Sequence, residues 1–295
     1  MTISISKRKL TLSLCFISAA ILGACGGGSD PVITKLNVTP ALGAVYGGTV
    51  NIYSSNGTLL GTATTSTSDG KATVDMANYT LGSPIIVKVT LSAGASYFNE
   101  KTGTNTTVTA ANPVSLLSVL PAVAAGQAVG VTPITNMAAK LAGVTADTVG
   151  STPLTSPVSA DAIYTAVAKT NLILGLPAAT NILAAPVPAT AAAPTPTETL
   201  GKVLASIAKN TTATDPVAQA TALAAAVKTD GTVDSTKTAA INEANTTLKD
   251  PAKTTGLTIT IATPNTAPTA AQVTAAATAV KTVVDAAKAT GASGG

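Results

Sequence analysis

The residue with the clearest chemical potential in this 295-residue chain is Cys25, the second of its two cysteines. It follows Lys7-Arg8-Lys9, an apolar stretch from Leu10 to Leu22, and the small residues Gly23-Ala24. A basic start, an apolar stretch and small residues before a cleavage point are typical of a secretory signal. The apolar stretch is too short to span a bilayer, which takes about 20 residues. Cys15 lies within it, so cleavage would leave one thiol and no possible disulfide.

Leu22-Gly23-Ala24-Cys25 closely resembles the lipobox of bacterial lipoproteins. In that family the cysteine thiol receives a diacylglyceryl group, the signal is cut before the cysteine, and the new amino terminus is acylated. The resemblance implies that residues 1–24 are a lipoprotein signal peptide, that Cys25 is lipidated, and that the protein is exported and anchored to the membrane. In a Gram-negative host, Gly26 rather than Asp after the cysteine implies the outer membrane, on its periplasmic or surface face. The alternative is an ordinary secretory signal with an incidental cysteine.

The charge balance excludes nucleic acid as a partner. Without the three basic residues of the signal, 14 lysines face 13 acidic residues. The only arginine, Arg8, leaves with the signal, so the mature chain has no guanidinium group to clamp a phosphate or carboxylate. Aromatic residues make up 2% of the chain, which leaves few rings on which bases could stack.

The chain has no histidine, which is the commonest general base and transition-metal ligand. Ser-His-Asp, zinc and haem sites are therefore excluded in their usual forms. We expect no catalytic residue and no cofactor, and hence a protein that is not an enzyme. A hydrolase that works with carboxylates alone is the weaker alternative, and it would need two acidic side chains that converge in a cleft.

Two short segments are candidates for ligand contact. Asp230 and Asp234, in Asp230-Gly231-Thr232-Val233-Asp234, are weak calcium candidates, because calcium takes several oxygen ligands. The EF-hand spacing is missing. The alternative is that this segment is a helix end followed by a new helix near Ser235, without a ligand. Tyr97-Phe98-Asn99-Glu100 is either an exposed ligand-contact loop or a strand end whose rings complete a core.

From Leu36 to about Ser118 the pattern predicts a small antiparallel β-sandwich. Alternation places Val50 and Ile52 on one face of a strand, and Gly-containing turns separate such strands. Asp69 is expected to cap one of these turns. The clearest of the predicted strands is Ile85-Ile86-Val87-Lys88-Val89-Thr90-Leu91.

This segment resembles the carboxypeptidase regulatory-like, transthyretin-like β-sandwich. The likeness is carried by Gly48-Thr49-Val50-Asn51-Ile52-Tyr53, Thr62-Ala63-Thr64-Thr65 and Ser68-Asp69-Gly70-Lys71-Ala72-Thr73-Val74. That family implies a non-catalytic module that is often found in secreted and surface proteins.

From Val131 onward the pattern changes to capped helices. The predicted helix starts are Thr132-Pro133, Ser159, Thr195-Pro196-Thr197-Glu198, Asp215-Pro216, Ser235 and Thr269-Ala270-Ala271-Gln272. Two segments interrupt them: a Pro-rich spacer at 185–196, and one strand over Leu257-Thr258-Ile259-Thr260-Ile261. Val131-Thr132-Pro133-Ile134-Thr135-Asn136-Met137-Ala138 is similar to an element of uncharacterised bacterial surface lipoproteins, in which it opens the helical region after a β-module.

These patterns predict an α+β protein: a signal at 1–24, a flexible tether at 25–35, a β-sandwich at 36–118 and a mainly helical domain at 131–295. We expect a lipid-anchored, non-enzymatic protein of the cell envelope. Its role would be structural or adhesive, through contact with envelope proteins or glycans. The alternative is an accessory or ligand-binding subunit of an envelope complex.

Overall fold

The fold is α+β, as the sequence predicts. The computed structural model describes residues 34–151, 153–193 and 195–290, and within these ranges ten strands precede six helices. The strands are β1 (Thr34–Pro40), β2 (Val45–Tyr46), β3 (Thr49–Ser54), β4 (Leu59–Thr64), β5 (Ala72–Met76), β6 (Ile85–Leu91), β7 (Ser96–Asn99), β8 (Thr104–Thr107), β9 (Val114–Leu120) and β10 (Ala128–Val131). The helices are α1 (Pro133–Leu141), α2 (Ala160–Leu174), α3 (Thr199–Lys209), α4 (Pro216–Ala225), α5 (Ala239–Lys249) and α6 (Ala270–Thr290).

The strands form a sandwich-like region of three sheets. Their strand orders are β4-β3-β6-β9, β10-β1-β5 and β2-β7-β8. Alternation along β3 buries Val50 and Ile52 completely, as predicted, while Asn51 between them is half-buried. The long strand predicted from Ile85 to Leu91 is β6, which pairs antiparallel with both β3 and β9.

The segment between the predicted sandwich and the predicted helices contains a strand that the sequence pattern does not predict. β10 pairs in parallel with β1, with Asn37 opposite Ala128 and Pro40 opposite Val131. Gly130 is needed there, because a Cβ atom at this position would overlap the carbonyl oxygen of Ala184. Parallel pairing needs a long connection, so no local turn signal in the sequence marks it.

Four of the six predicted helix starts carry the predicted caps, those of α1, α2, α4 and α6. Thr132 forms a capping box with Thr135, and Pro133 is the first residue of α1. The hydroxyl of Ser159 accepts a hydrogen bond from the N–H of Ala162 at the start of α2. The carboxylate of Asp215 accepts one from the N–H of Ala218 at 2.8 Å, at the start of α4. Each of these caps needs partners only three residues away, which makes them visible in sequence.

The predicted starts of the third and fifth helices are wrong. α3 begins at Thr199, not at Pro196, because the Glu198 carboxylate accepts hydrogen bonds from the N–H groups of Leu200 and Gly201. A negative charge is favoured at a helix N-terminus. α5 begins at Ala239 rather than after Ser235, because Asp234 binds both the N–H and the hydroxyl of Thr236 and holds a turn there.

The predicted capping box of the last helix is confirmed. The side chain of Gln272 accepts a hydrogen bond from the N–H of Thr269 at 2.9 Å, and the hydroxyl of Thr269 accepts one from the N–H of Gln272 at 3.3 Å. Both ends of the box therefore satisfy backbone donors that the helix leaves unpaired. α6 follows from Ala270.

The strand predicted over Leu257–Ile261 is absent from the described residues. Leu257, Ile259 and Ile261 are half-buried against the core, so the predicted alternation is present in the side chains. Beyond the segment, the N–H of Ala262 donates to the carbonyl of Gly175 at 2.7 Å, at the end of α2. The chain is thus held by a helix end rather than by a neighbouring strand.

One hydrophobic core extends through the sheets and the helices. Its buried members run from Leu36 in β1 to Val284 in α6 without division into separate clusters. α1 packs on both β9 and α2, and α6 packs on α2. Among the described helices, none has the length and apolar character needed to cross a membrane. The limits of separately folding domains at 36–118 and 131–295 stay a prediction.

Candidate functional site

Cys25, the predicted lipidation site, lies outside the described residues. The first described residue, Thr34, opens β1 nine positions later. Lipidation at Cys25 therefore stays a prediction.

The two calcium candidates are each bound to their own turn. Asp230 Oδ1 accepts hydrogen bonds from the N–H of Thr232 at 2.9 Å and from its hydroxyl at 2.6 Å. Asp234 makes the same pair of bonds to Thr236, at 3.1 and 2.7 Å. The hydrogen bonds from these threonines lower the pKa of both carboxyls. Across residues 34–151, 153–193 and 195–290, no group of three or more His, Cys, Asp or Glu side chains could hold a metal ion.

Asp69 caps its turn, as predicted. Its Oδ1 accepts a hydrogen bond from the N–H of Lys71 at 3.2 Å, across Gly70. Gly70 adopts a φ of 70°, in the left-handed region that glycine tolerates. Asp69 therefore acts in the local turn that leads into β5.

The segment Tyr97-Phe98-Asn99-Glu100 is a strand end, not an exposed loop. Tyr97, Phe98 and Asn99 form the end of β7, and all four side chains are buried. The strand-end interpretation of the sequence is thus confirmed. Glu100 is only 8% exposed although it carries a carboxyl group, and the sequence pattern does not predict this burial.

Burial of Glu100 raises the pKa of its carboxyl from 4.5 to about 8, although the backbone N–H groups of Glu100 and Gly43 oppose the shift. Its Oε2 atom is fully buried and has no hydrogen-bond partner within the described part of the chain. Isolated buried carboxyl groups favour the neutral form. Gly43 lies close to the end of β7 because it has no side chain. A Cβ atom at this position would overlap the Phe98 carbonyl oxygen.

Glu100 lines a small cavity between the end of β7 and three helices. The cavity measures about 20 Å³, and its other walls come mainly from apolar side chains of α1, α3 and α4. Gln219 of α4 is the second buried polar residue in the wall. Its Oε1 atom accepts a hydrogen bond from the hydroxyl of Thr211 at 2.8 Å, whereas its Nε2 atom has no partner among the described residues.

A second polar group joins α2 to α6. The hydroxyl of Tyr164 donates to Asp285 Oδ1 at 2.8 Å, and Lys281 Nζ donates to Asp285 Oδ2 at 2.7 Å. Lys281 Nζ also lies 4.9 Å from the centre of the Tyr164 ring. Burial raises the pKa of Asp285, but the hydrogen bonds from Lys281 and Tyr164 outweigh it and hold this pKa below its usual value. The pair Lys281–Asp285 is half-exposed, so the group fixes two helices and offers no enclosed site.

Four larger clefts among the described residues, of about 320–390 Å³, have the volume of small-molecule sites, which is roughly 300–1,000 Å³. The two largest are formed by segments far apart in the chain. One, of about 360 Å³, is mostly apolar and is lined by side chains that include Leu176, Leu200, Val203 and Ile259. The other, of about 390 Å³, lies between the β7–β8 sheet and the start of α4, and threonines dominate its wall. Sequence patterns did not indicate either cleft, since each is formed by segments far apart in the chain.

Comparison of the chain with protein families, with curated proteins and with solved structures finds no match.

Proposed function

We propose that this protein is a lipid-anchored, non-enzymatic component of a bacterial cell envelope. The observation that carries the proposal is the sequence Leu22-Gly23-Ala24-Cys25 behind a basic and apolar leader. In this proposal the Cys25 thiol is the lipidated group, and Gly26-Gly27-Gly28-Ser29 belongs to the tether predicted at 25–35. The folded body of sheets and helices then acts as a structural or adhesive unit.

The side-chain inventory supports a role without catalysis. The chain lacks histidine, and its only arginine lies in the leader. Glu100 has a pKa shifted toward neutrality, which is often a property of catalytic acids. Its cavity of about 20 Å³, however, is far smaller than a substrate site of roughly 300 Å³ or more. The shifted carboxyl therefore supports a structural role in the core.

The location proposed is the outer membrane, if the host is Gram-negative. Gly26 follows the lipidated cysteine in place of Asp, which resembles lipoproteins exported to that membrane.

A ligand-binding accessory subunit is the second candidate. The observation that favours it is the two largest clefts, of about 360 and 390 Å³, on the folded body. Both are larger than the spaces left by ordinary side-chain packing and lie within the range of small-molecule sites. This role is compatible with the same anchor.

The anchor is tested with two cysteine variants expressed in the native host. Cys25→Ser should abolish incorporation of a palmitate analogue and leave the unprocessed precursor. Cys15→Ser is the matched control, because it changes the chain's other cysteine, which lies within the leader, and it should be labelled like the parent protein. Equal labelling of Cys25→Ser and the parent would overturn the anchor.

Membrane separation and protease access then address the location. The labelled protein should sediment with outer-membrane markers, and protease added to intact cells distinguishes the surface from the periplasmic face. Recovery with inner-membrane markers would contradict the proposed location without affecting lipidation itself.

A further inference from the structure

Two residues that line the cavity of about 20 Å³ between β7 and the helices each carry a buried polar atom without a partner in the described part of the chain. These are Glu100 Oε2 and Gln219 Nε2, on elements that are far apart in the chain. Buried polar groups in native proteins are almost always hydrogen-bonded, to protein or to an ordered water. Two such atoms in the wall of one cavity indicate a shared partner.

The amide oxygen of Gln219 is bonded to a neighbouring side chain. Thr211 donates its hydroxyl hydrogen to Gln219 Oε1 at 2.8 Å, and both side chains are buried. Nε2 therefore presents N–H donors to whatever shares the cavity.

The hydrogen-bonding role of Glu100 Oε2 depends on the protonation state of the carboxyl. Backbone N–H groups of Gly43 and of Glu100 itself donate to the carboxyl, so a proton on this carboxyl belongs on Oε2. Oε2 is then a donor when the carboxyl is neutral and an acceptor when it is ionised.

These properties select the ligand by charge and by size. A cation would meet the N–H donors of Gln219, and an anion would meet the carboxyl of Glu100. A neutral molecule that can both donate and accept fits Oε2 in either protonation state. The volume of about 20 Å³ exceeds the roughly 10–15 Å³ that one water needs and leaves no room for a larger molecule.

We propose that Glu100 Oε2 and Gln219 Nε2 form a binding site for a single internal water molecule, which joins the end of β7 to helix α4. The water accepts a hydrogen bond from Gln219 Nε2. Toward Glu100 it accepts when the carboxyl is protonated and donates when it is ionised. Apolar side chains such as Ile134, Leu204 and Leu223 line the rest of the site. The site is independent of the envelope role proposed above.

The direct test is a crystal structure of the chain in detergent at high resolution, determined at pH 6 and at pH 9. We expect one water peak at about 2.7–3.2 Å from both Glu100 Oε2 and Gln219 Nε2. The peak should persist in Glu100→Gln, which keeps a polar atom at this position. A dry cavity, a direct bond between the two side chains, or a peak that anomalous scattering or bond lengths identify as an ion would overturn the proposal.

The second test is a double-mutant cycle on thermal unfolding with Glu100→Leu and Gln219→Leu. If one water serves both atoms, the shifts of the thermal midpoint are not additive, because either change alone removes the shared molecule. Gln127→Leu is the control, since the buried Gln127 accepts its hydrogen bond from Ala124 elsewhere, and it should add to Glu100→Leu. Additive shifts for the Glu100 and Gln219 pair would overturn the proposal. Where a leucine variant does not fold, Glu100→Met with Gln219→Met replaces the pair, with the same expectation, because methionine likewise removes the hydrogen-bonding atom at each position.

Discussion

The hydroxyl of Thr135 in α1 donates a hydrogen bond to the backbone carbonyl of Leu117 in β9, at 2.8 Å. Asn136 of the same helix accepts one from the N–H of Leu117 at 3.2 Å. β9 is the last strand in the order β4-β3-β6-β9, so its outer backbone groups would otherwise be unpaired. Exposed edges of this kind invite pairing with other chains. The first helix therefore protects the edge of the largest sheet.

Thr135→Val should destabilise the fold by about 1–3 kcal/mol, because it leaves the buried carbonyl of Leu117 without its donor. The same change removes the Thr135 oxygen that accepts from the N–H of Thr132 in the capping box. Thr135→Ser keeps the hydroxyl and serves as the matched control. Denaturant unfolding measures both, and equal stability of the two variants would show that the bond contributes nothing.

Stability should fall as the pH rises from about 4.5 to about 8, through Glu100. The pKa of this carboxyl is about 8 in the folded protein and near 4.5 as its ordinary value. In that window the folded state binds more protons than the unfolded state, so the free energy of unfolding decreases with pH, by at most about 1.4 kcal/mol per pH unit. The contribution is fully present below pH 4.5 and lost above pH 8.

The pH effect is checked by comparing the parent with Glu100→Gln in denaturant unfolding between pH 5 and pH 9. Glu100→Gln should lose the part of the pH dependence of the unfolding free energy that comes from Glu100, whereas Glu243→Gln should keep it. The neighbouring Tyr97 has its pKa raised to about 12, by burial and then by the charges of Asp215 and Glu100, so it titrates above the window. Parallel pH profiles of the parent and Glu100→Gln would contradict the prediction.

Tyr164→Phe should weaken the contact between α2 and α6, because it removes the hydroxyl that donates to Asp285. A hydrogen bond of this kind contributes about 0.5–1.5 kcal/mol, and the partial exposure of Asp285 favours the lower end. Tyr46→Phe is the control, since its hydroxyl makes no hydrogen bond in the described part of the chain. Hydrogen exchange of α6 amides reports the effect locally, and unchanged protection there would argue against it.

Chelators and reductants should leave the thermal midpoint of the protein nearly unchanged. The carboxylates of Asp230 and Asp234 already bind Thr232 and Thr236. Cleavage of the predicted signal would leave Cys25 as the one cysteine, with no partner in the chain for a disulfide. Calorimetry with and without EDTA measures this. A midpoint that falls by many degrees in EDTA and recovers with calcium would restore the two aspartates as ligands, and Asp230→Asn with Asp234→Asn would then reproduce the loss.

The sequence by itself determined the features that depend on near neighbours. The caps at Thr132, Ser159 and Asp215, the end of α2 at Gly175 and the turn at Asp69 each need partners within a few residues. The leader pattern and the absence of histidine are likewise properties of the sequence alone. The α+β class follows from two-residue alternation in one part and capped apolar periodicity in the other.

Only the tertiary structure decided which distant segments meet. The parallel pairing of β1 with β10, the cover of α1 on β9, and the packing of the Leu257–Ile261 segment without a strand partner depend on contacts across the whole chain. The burial of Glu100 is the clearest case, because its type and neighbours predict a polar loop or a strand end. Its shifted pKa arises from helices that follow much later in the sequence and exclude water from one carboxyl oxygen.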